Sequence, residues 1–135
     1  MSFEVPSVPF TTEAYEGFAT TEGLLSIEED ALILEFKTKD SFVGLIQSEI
    51  KRIEIPLSSL AGIEFQKKWY GNKIIVRTNR LEPLDQIPGS KQGEAKLTVQ
   101  RKNRDLASDL VSYISLYVSE NRLKRLEDEL KKLEE

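Results

Sequence analysis

Three lysines and two large aromatic residues fall within one short stretch, Lys67-Lys68-Trp69-Tyr70-Gly71-Asn72-Lys73. Their chemistry is that of contact: the ammonium groups offer charge to an anionic surface, and Trp and Tyr are favoured at membrane interfaces and as binding hot spots. The competing reading of Lys67, Lys68, Trp69, Tyr70 and Lys73 is packing, with the aromatics covering one end of a barrel and the lysines solubilising the turn. A second basic set, Arg101, Lys102 and Arg104, stands where a helix begins, with Arg77 and Arg80 as further candidates. Cations there oppose the helix dipole, which points to an anionic partner, although ordinary solvated charge accounts for the same residues. The third constellation is apolar: Leu123, Leu126, Leu130 and Leu133 follow the 3-4-3 spacing of a coiled-coil seam. Exposed leucines in such a row require cover, from the chain's own body, from a second copy or from a partner helix.

Composition removes most catalytic chemistry. The 135 residues contain neither Cys nor His, which excludes Ser-His-Asp and Cys-His catalysis, disulfides, and zinc sites built on imidazole or thiolate. The carboxylate pairs Glu28/Glu29 and Glu134/Glu135 sit in a turn and at a terminus, where nothing would tune them for acid-base work. The expectation is a non-enzymatic protein with no cofactor and no metal. A net charge of −4 would repel nucleic acid and anionic lipid at long range, so an anion site must be local, and nucleic-acid binding is not expected. The N-terminal ten residues carry no basic region and no apolar run, and Pro6 and Pro9 break any helix there. No window approaches the ~18 apolar residues of a membrane span, which gives the reading of a soluble, cytoplasmic protein.

The elements that must position these residues follow from periodicity. Residues 1–17 read as an extended N-terminal arm, with Val8 and Phe10 able to strap onto a sheet edge. A strand from about Thr20 to Glu28, a tight turn at Glu29-Asp30 and a strand Ala31–Thr38 form a hairpin whose Leu32, Leu34 and Phe36 share one face. Residues 40–48 fit either a short irregular strand or a loop. Strands follow at Ile50–Leu57 and Leu60–Tyr70, a turn at Tyr70-Gly71-Asn72, a strand Lys73–Asn79, a Pro- and Gly-rich loop over 81–93 and a last strand Ala95–Arg101. The period then changes. Leu106, Leu110, Tyr113 and Tyr117, flanked by Val111, Ile114 and Val118, describe an apolar helix face. Asn103 is placed to cap that helix, and no Gly or Pro interrupts it to Glu135. A continuous helix of that length, roughly 50 Å, outruns a small sheet, so residues 121–135 should project. Opposite charges four apart, such as Lys124/Asp128 and Glu127/Lys131, support the projecting turns.

The strand order, the Ile-Glu-Ile-Pro-Leu-Ser-Ser-Leu-Ala-Gly-Ile-Glu-Phe segment at residues 53–65 and the single closing helix together resemble the pleckstrin-homology-like (PH-like) superfold, in particular its bacterial and GRAM-like branches. Ile55, Pro56, Leu57, Leu60 and Ile63 carry the match, and the resemblance covers about residues 18–120. It implies a mainly β, α+β fold: a seven-stranded, two-sheet barrel capped by one long C-terminal helix. It also implies an interaction or scaffold module that binds protein partners or self-associates through its helix. An anionic membrane surface at the 67–73 hairpin is the alternative, and a carrier or enzyme using the barrel interior a remoter one. The sequence departs from phosphoinositide-binding members in two ways. Its first hairpin turn is the acidic Glu28-Glu29-Asp30, and its helix lacks a Trp.

Overall fold

Alternating apolar residues and short polar turns commit much of the chain to antiparallel strands, as the computed structural model shows for residues 7–14, 19–40, 45–46, 50–69, 71–79, 84, 87 and 90–134. The strands among these residues are β1 (Val8–Ala14), β2 (Ala19–Glu28), β3 (Ala31–Asp40), β4 (Leu45–Ile46), β5 (Lys51–Pro56), β6 (Leu60–Lys68), β7 (Gly71–Thr78) and β8 (Glu94–Val99). A 3-10 turn, Arg101–Asn103, leads into α1 (Arg104–Glu134). The protein is therefore mostly β with one long C-terminal helix. One antiparallel sheet runs in the order β4-β3-β2-β1-β8-β7-β6, and β5 pairs with β3 along the same edge as β4. The sheet is thus seven strands across. Among the described residues no ladder joins β5 to β6, so it is open.

Residues 8–14 differ from the expected arm. They lie inside the sheet as β1, paired with β2 from Val8/Leu25 to Ala14/Ala19 and meeting β8 where Thr11 faces Thr98. The reason is the alternation of Val8, Phe10 and Thr12, all buried, which gives this segment a core face. The expectations for residues 1–6 and 15–17 lie outside the described residues. Within the undecided stretch, Leu45–Ile46 pair with Lys39–Asp40 as a short strand.

The core is continuous from the sheet to the helix: Leu25, Leu34, Phe36, Ile55, Ile74, Val76 and Leu97 meet Ala107, Leu110 and Ile114. Gly23 makes one crossing possible. It lies between Phe10 on β1 and Phe36 on β3, and a Cβ there would stand 2.4 Å from the Glu35 carbonyl oxygen and 2.7 Å from the Phe10 ring. Thr12 and Thr21 face each other across β1 and β2, both buried, and neither Oγ1 has a hydrogen-bond partner among the described residues.

Helix α1 lies against β6, the 3-10 turn Leu57–Ser59, β1 and β7. Asp105 in its first turn and Lys131 and Lys132 in its last complement the helix dipole. Its buried residues are Ala107, Leu110, Val111 and Ile114, with Tyr117 and Val118 packed against the core edge. Leu106 and Tyr113, expected on the inner face, are exposed instead, because the inward direction is rotated toward Ala107 and Ile114. Arg122 donates from Nη2 to the Ala61 carbonyl oxygen at 3.4 Å. Beyond it Leu123, Leu126, Leu130 and Leu133 are exposed along the projecting turns. Among the described residues no helix is long and apolar enough to cross a membrane.

Candidate functional site

The β6–β7 hairpin is the local structure that presents the basic and aromatic cluster. Lys67 pairs with Asn72 and Lys68 with Gly71, so the loop between the strands is Trp69 and residue 70 alone. The turn was expected over Tyr70-Gly71-Asn72; Gly71 and Asn72 instead take strand positions. Trp69 is 96% exposed. It does not cover the end of the sheet, and the packing expectation for it is corrected. Tyr70 lies outside the described residues. Lys67 and Lys68 are exposed, and Lys67 Nζ stands 5.8 Å from the centre of the Phe65 ring, within cation-π range.

The sequence reading treated the hairpin and the basic residues before the helix as separate sets, yet the β7–β8 register brings them together. Asn72 faces Val99 across that ladder, so the exit of β8 lies beside the hairpin root. Lys67, Lys68, Trp69, Gly71, Asn72, Val99, Gln100, Arg101 and Arg104 line one open depression of about 500 Å³. Asn72 is buried in its wall, and no Asp or Glu is among its described lining residues. Lys73 belongs elsewhere, in a smaller hollow with Gln66, Lys68 and Lys96, and Lys102 borders Phe10, Glu22 and Thr98.

Cations elsewhere on the sheet are handled differently. Arg52 on β5 donates to three carboxylates: Glu28, Glu35 at 3.0 Å and Glu54 at 3.3 Å. Arg77 donates to Glu94 at 2.9 Å and Glu64 at 3.5 Å. Both guanidinium groups titrate above the ordinary arginine value, Arg52 chiefly through its hydrogen bond with Glu28 and Arg77 through that with Glu94. Their charge is constant at any working pH and is spent inside the sheet surface. Arg77 is therefore not part of the basic set before the helix, and Arg80 lies outside the described residues.

The leucine row has its own geometry. At about 100° per residue, Leu123 falls on the opposite side of α1 from Ile114, which is buried against the sheet. Leu130 follows nearly the same outward line, Leu126 and Leu133 stand about 60–80° to one side of it, and Leu116, 61% exposed, extends it back over the packed half of the helix. A continuous helix cannot turn this row onto its own sheet. Among the described residues, none of the chain's own body covers these leucines. Leu116 was missed in the sequence because it sits among the residues of the inner face; its spacing of seven from Leu123 was the available signal.

No family model matches the chain, and comparison with curated proteins and with solved structures finds none that is similar.

Proposed function

We propose that this protein is a non-enzymatic PH-like interaction module that self-associates through the outer face of its C-terminal helix. The observation that carries this reading is the outward row of Leu116, Leu123, Leu126, Leu130 and Leu133 on a helix already anchored to the sheet. Anchoring matters because two heptads alone are marginal in water, whereas here the preceding turns are held by tertiary packing.

The PH-like reading draws support from topology. The meander β1-β2-β3-β5 and the meander β6-β7-β8 meet where β1 reaches β8, and the helix follows the last strand. That order is what a two-sheet PH-like barrel with a capping helix requires.

A second copy is the favoured occupant of the leucine row. With Leu116, Leu123 and Leu130 at a positions, Ser119, Leu126 and Leu133 fall at d, Glu120, Glu127 and Glu134 at e, and Arg122 and Glu129 at g. An antiparallel pair would set the acidic e residues against one another. A parallel pair sets Arg122 of each chain beside Glu127 of the other and brings only Glu129 and Glu134 together as like charges. Light scattering on the full chain tests this: a concentration-dependent dimer is expected, and the double variant Leu123→Lys, Leu130→Lys should be monomeric with unchanged circular dichroism. A monomeric wild type at all concentrations would reject it.

A further inference from the structure

The depression beside the β6–β7 hairpin combines features that the rest of the surface keeps apart. Lys67 and Lys68 enter from the hairpin, and Arg101 and Arg104 from the segment joining β8 to α1. Four cations thus share a concavity whose described lining has no carboxylate. Net charge is −4, so this concentration of like charge runs against the average. Above it stands Trp69, almost fully exposed at the apex of a two-residue loop. An indole in that position leaves a large apolar surface in water, and it gains from an environment that is apolar on one side and wet on the other.

We infer that this end of the molecule docks on a bilayer surface bearing anionic phospholipid, with Trp69 in the headgroup layer and lipid phosphates in the depression. Guanidinium groups suit phosphate because they donate in a planar fork, and lysines beside them add point charge. Recognition is of surface charge and of the interface, not of one headgroup, since the described lining offers cations and a backbone turn but no enclosed pocket. Single-stranded nucleic acid would need a groove lined by several stacking aromatics, and one Trp on an acidic protein does not supply it.

Trp69 is the only tryptophan in the chain, so its fluorescence reports the contact directly. The full chain is mixed with phosphatidylcholine vesicles, alone or containing phosphatidylserine or phosphatidylglycerol at equal charge. The expected result is flotation with both anionic mixtures and a blue shift of Trp69 emission, with neither on phosphatidylcholine alone and both weakened by salt. Each cation near such a surface is worth about fivefold in partitioning. The double variant Arg101→Gln, Arg104→Gln should therefore lose about 25-fold, although both residues lie outside the hairpin. Trp69→Ala, which removes an exposed side chain and leaves the fold intact by circular dichroism, should weaken flotation on both mixtures equally.

The inference is overturned by any of four results. These are equal binding to neutral and anionic vesicles, binding to only one of the two anionic lipids, wild-type partitioning by the arginine variant, or retention on a soluble polyanion such as heparin without binding to vesicles. None of these outcomes depends on self-association, since the leucine-row variant of the preceding section should float as wild type does.

Discussion

The two sides of α1 carry similar side chains and meet opposite fates. Ala107, Leu110, Val111 and Ile114 are buried against the sheet, while Leu116, Leu123, Leu126, Leu130 and Leu133 face water at the same helical pitch. Hydrophobicity does not distinguish the two rows; position relative to β6 and the Leu57–Ser59 turn does. The inner row belongs to the energetics of folding, whereas the outer row would contribute only in the proposed assembly, because only apolar area removed from water contributes.

The largest effect expected from breaking this contrast is on the inner side. Ile114→Ala should lower the free energy of unfolding by about 2–5 kcal/mol, seen as a fall in the urea midpoint that is the same at every protein concentration. On the outer side, Leu126→Ala removes a side chain whose burial is worth roughly 1.5–3 kcal/mol. Because both copies lose it, the dimer should weaken by roughly 100–10,000-fold in sedimentation equilibrium, with monomer stability within about 0.5 kcal/mol. A smaller effect sharpens what burial means on the sheet side. Thr21→Val replaces a buried hydroxyl without a described partner by an apolar isostere and should stabilise the protein by ~1 kcal/mol, measured as a rise in Tm. Smallest is Glu127→Ala, which removes the carboxylate spaced four residues before Lys131 and should cost ~0.2–0.5 kcal/mol of helix stability, visible by circular dichroism at low salt and absent at high salt.

Much of the sheet was legible because a strand with one wet face writes its period into the sequence. Leu32, Leu34 and Phe36 announced β3, and Ile53 and Ile55 announced β5. β1 was less legible, since Pro6 and Pro9 masked the alternation of Val8, Phe10 and Thr12, and its place inside the sheet depends on partners distant in sequence. The hairpin apex was missed by one residue because Gly71 fits a turn and a strand equally well; only the Lys68/Gly71 pairing decides.

The same limit explains the basic depression. Lys67 and Lys68 were visible as a cluster and Arg101 and Arg104 as another, but their union rests on the Asn72/Val99 register, which no local pattern encodes. Carboxylate partners were equally hidden: Arg52 gathers Glu28, Glu35 and Glu54 from three strands. The helix was read at the right place, with Leu110, Val111, Ile114, Tyr117 and Val118 on the inner face as expected; only Leu106 and Tyr113, at the flank of that face, are exposed.

The unbroken course of α1 makes residue count a phase angle. Between Ile114 and Leu123 no Gly or Pro interrupts the backbone, so the bearing of the outer row is fixed by the number of residues that separate it from the anchor. Removing one exposed residue between Val118 and Asn121 would rotate everything beyond by about 100°, swinging the two bodies of the proposed dimer around a common axis and giving up the Arg122 bond to Ala61. In the proposed dimer the length of this connecting stretch would therefore set mutual orientation, as the pitch of a screw sets the bearing of its slot.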